Sequence, residues 1–413
     1  MRIRTVLHCI SLLAVLLGAA SCGEGENPPQ KEMQPLKNIV LTHDQAAVQA
    51  CENDFALGLF RAIAAQEKGK NLMISPFSAS LCLSLAASGA NGETFTQMAS
   101  TLGFTGFSAE QIASYYQAMC QGLFEVDTTT RIAIANAAWP AVNFPLKQAY
   151  SDFVRKWYSA EVANLDFATK KAVNTVNSWA YDHTNGMIPK ILDEPEPSIR
   201  LLLANALYFN GKWKGGKMES QQKPFTDFSG KRADQKFLGS TREMKWYGGE
   251  GFQACSVPYG NGAYRMVIFL PDEGKDLYSL VASLTPARWN EVMQGLRDCE
   301  VIFSMPVFKS EYEMSDLFKN TLISLGMPKA FSGAADFSGI SDESVYIDEI
   351  LQKTAIDVTE TGTEAAAVTA IIIKATAVLH PDPPRAFTAD RPFAYAIVEH
   401  TFNTVLFIGI HGK

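Results

Sequence analysis

Between Asp357 and Phe393 the chain reads DVTETGTEAAAVTAIIIKATAVLHPDPPRAFTADRPF. Few folds can hold such a stretch in one place. After Gly362, Glu364 is the only charge before Lys374. With the two-residue period of a strand, Thr363, Ala365, Ala367, Thr369 and Ile371 share one face, and Glu364 falls on the other. That face is small, uncharged and fit for burial, which suits a central strand. The surroundings oppose it. Alanine is a poor strand former, the hairpin pairs Asn-Gly and Asp-Gly are missing nearby, and HPDPP downstream forbids regular pairing. A segment that can be buried as a strand, on a tether that discourages its pairing, reads as an element with two states.

The N-terminus carries a different signal. Arg2 and Arg4 precede an apolar run from Val6 to Leu17, followed by Gly18-Ala19-Ala20-Ser21-Cys22. The run is too short for a comfortable membrane span and has the three-part form of a secretory signal. The small residues before Cys22 resemble the bacterial lipoprotein cleavage box. On that resemblance residues 1–21 are a signal peptide and Cys22 is the lipidated first residue; the competing reading is an ordinary cleaved signal with an incidental cysteine. The expected location follows: exported, and lipid-anchored in a bacterial double envelope, on the periplasmic or cell-surface face of the outer membrane. Residues 22–45 are polar and Pro-bearing and read as a flexible tether. Residues 46–413 show no compositional break or repeat, so one large domain is expected.

Charge and cysteine usage narrow the partners. Formal charge is -7, and without Arg2 and Arg4 the count is 34 basic against 43 acidic residues, or -9. That argues against nucleic acid, and against a heparin-like polyanion as an obligatory partner. With 47% hydrophobic residues and no long apolar run after the signal, the body reads as soluble and well cored. Cys51, Cys82, Cys120, Cys255 and Cys299 are odd in number and lack CxxC spacing, so they read as free, buried thiols with no metal or cofactor implied. The six histidines stand near no GxSxG elbow, and no Ser/His/Asp arrangement can be read, so an intrinsic enzyme is not indicated. His183 reads as a solvated turn residue.

Helix-like and strand-like signals alternate irregularly, which points to α+β with antiparallel or mixed sheets. Residues 53–64 have helical spacing. Residues 71–89 read as a short strand, a Ser-Pro helix start and a buried helix. A short helix is expected over 93–102, a strand over 132–139 and an amphipathic helix over 147–157. Buried strands are expected over 201–213, 267–271 and 301–308.

Several of these stretches carry one resemblance. Glu360-Thr361-Gly362-Thr363-Glu364-Ala365-Ala366-Ala367-Val368-Thr369 looks like the hinge of an inhibitory serpin's reactive-centre loop, and Phe387 to Phe393 (FTADRPF) resembles the strand receiving the loop's far end. Asn71-Leu-Met-Ile-Ser75-Pro76-Phe-Ser78 looks like the family's NxxxSPxS element. About ten blocks match in order, among them Asn205-Ala-Leu-Tyr-Phe-Asn-Gly211-Lys-Trp213 and Ala335-Asp336-Phe337-Ser338-Gly339. The resemblance implies three β-sheets, about eight to nine helices and an exposed reactive-centre loop over about 360–386. It implies that Ser75, Ser78 and Asn205 form the shutter where the main sheet parts, with Trp213 at the breach where the loop enters. Gln352 stands where many relatives carry a shutter histidine; it can donate and accept but cannot titrate. Ser78 also has a plainer reading as a helix-start hydroxyl.

The activity implied is that of a suicide inhibitor of serine proteases, with papain-like cysteine proteases as a further class. The loop is cut, the acyl-enzyme forms, and residues from Thr363 onward insert into the main sheet, carrying the protease with them. Thr363 is thereby expected to pass from exposed to buried. Family spacing puts the reactive residue fourteen after Gly362, giving Thr376–Ala377, suited to an elastase-like pocket. Lys374–Ala375 is a second register suited to a trypsin-like one. A monomer is expected. The alternative from another class is a non-inhibitory member acting as a carrier, chaperone or structural surface protein.

Overall fold

Helix starts are written into the sequence by side-chain caps, which satisfy the orphan N–H groups of a first turn. Thr42 and Gln45 close a capping box on α1 (His43–Gln66). Ser75 caps α2 (Pro76–Ala87), whose first position is proline. α3 (Gly92–Thr101) follows, then α4 (Ala109–Glu125) behind a second capping box from Ser108 and Gln111, and the amphipathic α5 (Gln148–Tyr158). Thr169 caps α6 (Lys170–His183), Asp276 caps α7 (Leu277–Ser283) and Thr285 caps α8 (Pro286–Gly295). α9 (Asp316–Leu325) is the last α-helix among the described residues. These residues, in the computed structural model, are 34–348, 350, 352–363 and 383–413.

Strands fill the intervals. They are β1 (Leu72–Ile74), β2 (Arg131–Pro140), β3 (Glu161–Val162), β4 (Leu201–Lys212), β5 (Glu219–Thr226), β6 (Arg232–Gly249), β7 (Phe252–Tyr259) and β8 (Tyr264–Pro271). Then come β9 (Arg297–Pro306), β10 (Phe308–Met314), β11 (Gln352–Thr359), β12 (Gly362–Thr363), β13 (Arg385–Thr388), β14 (Phe393–Glu399) and β15 (Val405–His411). One sheet runs β10-β11-β12-β4-β2-β3. The other has nine strands in the order β1-β15-β14-β8-β7-β6-β9-β13, with β5 also on β6. The 18-residue β6 joins two sheets into one ladder: its first half pairs β5, its last five residues pair β7, and β9 lines its other edge. The expected α+β architecture of three sheets and about nine helices is therefore present, two of the sheets being continuous along β6.

The core explains the arrangement. β14 and β15 are buried along their whole lengths, as is β1. They sit under α1 and α2, which contribute Phe55, Leu59, Phe60, Leu81 and Leu85. A second, smaller cluster forms where α6 lays Val176, Trp179 and Ala180 on Trp139 of β2; the two tryptophan rings meet edge to face at 5.2 Å.

Four local expectations change. The packed body reaches further back than residue 46: Ile39 is buried, its N–H donates to Thr401 Oγ1, and α1 already begins at His43. The apolar run 301–308 is two strands, because Val307 turns aside to donate to Lys236 O. The five cysteines are free, but only Cys255 is fully buried. His183 closes α6 with Nδ1 2.8 Å from Trp179 O and its ring against Trp179.

Two buried titratable groups stand out. Glu52 of α1 accepts from Tyr116 OH at 3.0 Å, and burial pushes its carboxyl up to about 8. His411 of β15 stacks on Phe308 with centroids 4.4 Å apart and also meets Phe393 and Phe225. Burial lowers its imidazole to about 4, and neither ring nitrogen has a partner among the described residues.

Candidate functional site

The hinge residues sit at one end of the six-stranded sheet. β11 turns through Glu360-Thr361 into β12, which pairs antiparallel with β11 on one side (Val358 with Thr363, Thr359 with Gly362) and with β4 on the other (Gly362 with Lys212, Thr363 with Gly211). β4 and β11 therefore run parallel, with β12 between them at one end. Among the described residues no ladder joins β4 to β11 directly. A chain continuing past Thr363 in the same direction would run down between them, toward Leu201 and Gln352.

The two-residue turn lacks the positive-φ residues that favour tight hairpins: among the described residues neither Glu360 nor Thr361 has φ > 0. It is held from outside instead. Met218 N donates to Glu360 O at 2.8 Å, and Trp213 N donates to Thr361 O at 3.1 Å. The Trp213 indole N–H donates to Thr359 O at 2.9 Å. Lys236 Nζ lies 2.5 Å from the Glu360 carboxylate and, by that hydrogen bond, holds it below the usual carboxylate range. Gly362 has φ +148°, and a Cβ there would lie 2.1 Å from Gly211 O. Only glycine lets β12 approach β4 this closely.

Thr363 is already buried, at 2% exposure. Its hydroxyl shares a 2.6 Å hydrogen bond with Tyr259 OH, and the Tyr259 ring stacks on Trp213 at 4.4 Å and 14°. The expectation of an exposed Thr363 is thus corrected: Gly362 and Thr363 are seated in the sheet, because Tyr259 offers the Thr363 hydroxyl a partner and the turn is pinned by Trp213, Met218 and Lys236. Tyr259 and Lys236 were not legible as site residues. Tyr259 ends the apolar run ACSVPY like any core aromatic.

The four shutter candidates come together at the start of α2. Gln352 of β11 accepts from Ser75 N (3.1 Å) and donates to Ser75 O (2.9 Å), while Ser75 Oγ donates to Leu406 O (2.7 Å). Ser78 Oγ donates to Asn205 Oδ1 of β4. The Asn205 amide donates to Asn136 Oδ1 (2.8 Å) and Ala135 O (3.2 Å) on β2. β11 and β4 are therefore each tied to the α2 start, three residues apart, and among the described residues no bond joins Gln352 to Asn205. Parting the two strands breaks no direct side-chain bond between these two residues. Cys22, Glu364 to Ala367 and the bonds Lys374–Ala375 and Thr376–Ala377 lie outside the described residues.

The six-stranded sheet thus holds a two-residue strand, β12, between two parallel neighbours, β4 and β11. The family description Serpin (serine protease inhibitor) matches residues 50–411, and the chain belongs to the serpin family, whose members are generally protease inhibitors. It is 34% identical to Serpin B6 of Macaca fascicularis over 86% of this chain and 96% of that protein. It is 30% identical to intracellular coagulation inhibitor 2 of Tachypleus tridentatus, covering 86% and 88%. Among solved structures, the native state of the thermophilic serpin tengpin superposes with a TM-score of 0.80 at 29% identity, covering 93% of this chain and 97% of that one.

Proposed function

We propose that the chain is an inhibitory serpin that traps serine proteases, and papain-like cysteine proteases as a further class, as a suicide substrate. The observation that carries this is the seated hinge: Gly362 and Thr363 occupy the end of the position a full inserted strand would fill. Cleavage frees the loop's far end from Arg385, and the segment after Thr363 extends between β4 and β11. From Thr363 to Thr376 is fourteen residues, about 45 Å of strand at about 3.3 Å each, enough to carry an acylated protease the length of the sheet. Small residues at Ala365 to Ala367 suit that burial, where a non-inhibitory carrier would tolerate bulk or charge. The bond cut is Thr376–Ala377, with Lys374–Ala375 as a shorter and less efficient register.

The protein is carried on a lipid at Cys22, supported by the run of small residues before it, and is exported to the outer membrane of a double envelope. Incubation with a panel of elastase-like, trypsin-like and papain-like proteases tests the inhibitory reading: a complex resisting boiling detergent is expected, with a C-terminal fragment beginning at Ala377. Complete turnover of the loop with active protease left in every case would favour the carrier reading. Detergent phase partition tests the anchor; recovery of the wild type in the aqueous phase would remove it.

A further inference from the structure

Both ends of the loop region lie beside the same group of cations. Lys212, Lys214 and Lys217 follow one another at the end of β4 with no acid between them, and all three are exposed. Lys212 is the register partner of Gly362, where the loop departs. Arg242 of β6 donates to Lys214 O (2.8 Å) and Gly216 O (3.4 Å). Arg385 opens β13, where the chain returns, and it lies in register with Val301, which in turn pairs Arg242. Among the described residues none of these five forms an ion pair, whereas on β6 Lys236 is paired with Glu360 and Lys245 with Asp298. The acids along these strands are Glu219, Glu243 with its register partner Glu300, and Asp298, which pairs with Lys245; Glu243 and Glu300 alternate with Arg242 and Val301 and so fall on the opposite face. In a chain of net charge -7 this is a local inversion of sign.

We propose that these cations form a docking collar for the protease itself, and that the preferred target presents an acidic face around its active-site cleft. The proposal rests on the inhibitory reading above, which brings that cleft to the loop. An acidic protease is repelled by the rest of the body and attracted at the collar, so its encounters are oriented toward the loop. At physiological salt charges are screened beyond about 8 Å, so the collar acts on the docked face while the distant acids do not.

The test uses the full chain with two elastases, one anionic and one cationic. With the anionic enzyme the association rate constant should fall about tenfold or more between 50 and 500 mM NaCl, the range of electrostatic steering. With the cationic enzyme it should not fall. Lys214→Glu with Lys217→Glu should slow the anionic enzyme by about fivefold, leave the number of inhibitor molecules used per protease unchanged, and abolish most of the salt dependence. Binding of anionic elastase whose nucleophile is replaced by alanine separates the two ideas. Salt-dependent binding that the double reversal removes supports the collar even if no trapped complex forms, a result that would count only against inhibition. Equal rates for both elastases, insensitive to salt and to the reversal, would overturn the collar. So would a DNA duplex that binds through Lys214 and Lys217 more tightly than the inactive elastase does.

Discussion

Thr363→Val tests the seated hinge most directly. Valine keeps the shape of threonine and removes one hydroxyl, so the main loss is the partner of Tyr259 OH, a 2.6 Å bond at a tyrosine with no exposure. Leaving a buried hydroxyl unpaired costs about 1–3 kcal/mol. For a body of roughly 370 residues the unfolding entropy is on the order of 0.8 kcal/mol/K, so the loss corresponds to about 1–4 °C in Tm. The bond is present in the uncleaved protein, and insertion as proposed would keep it, so intact and loop-nicked protein should both lose this amount. The gap between their melting temperatures should stay. Had Thr363 been exposed in the uncleaved protein, only the nicked form would be weakened and the gap would narrow. Scanning calorimetry of both forms distinguishes the cases. An intact Thr363→Val protein that melts with the wild type refutes the reasoning.

Other consequences follow from the buried groups. In the unfolded chain His411 takes up a proton near pH 6.5 but in the fold only near 4, so stability should fall as pH drops through that window; His411→Phe should flatten the acid limb of a denaturant-midpoint series. Glu52 has the opposite sign: the fold retains a proton up to about pH 8 that the unfolded chain has lost above about 4.5, so stability should decline as pH rises between them, and Glu52→Gln should remove that slope. Gln352→Leu strips both bonds from the Ser75 backbone, and about 2–4 kcal/mol should be lost in urea unfolding. Gly362→Ala adds a Cβ against Gly211 O, so the hinge should unseat and the loop should be turned over as a plain substrate, read as a rise in inhibitor consumed per protease.

The fold was legible where one element buries one face or all of itself. Residues 71–89 resolve into β1 and α2 with Ser75 as cap, as Ser-Pro before an apolar run suggests, and β4 matches the run 201–213 to within a residue. β6 was not legible: its pattern RADQKFLGSTREMKWYGG is polar over most of its length because much of it faces solvent, and only its partners β5, β7 and β9 make it a strand. The start of α1 was hidden in what reads as tether, although Thr42 and Gln45 have the spacing of a capping box. The NxxxSPxS resemblance singled out Ser75 and Ser78, and the fold brings Gln352 and Asn205 to them at the start of α2. The seated hinge was not legible, since Glu360-Thr361 is a poor hairpin loop taken alone and its supports lie more than a hundred residues away, at Trp213, Met218, Lys236 and Tyr259.

That externally held turn changes the kinetic problem the loop faces. Starting a hairpin from a free chain takes on the order of 1–10 μs, and each residue fixed in it costs about 1–2 kcal/mol of backbone entropy before any ladder returns the favour. Between Thr359 and Gly362 this nucleus exists before a protease arrives. On the proposed inhibitory reading, once the loop is cut what remains is propagation, one residue pair after another down two waiting edges, against the clock set by water at the acyl bond. On that reading the turn at Glu360-Thr361 is a starter for a zipper, and its three outside clamps set how much of a head start the strand has.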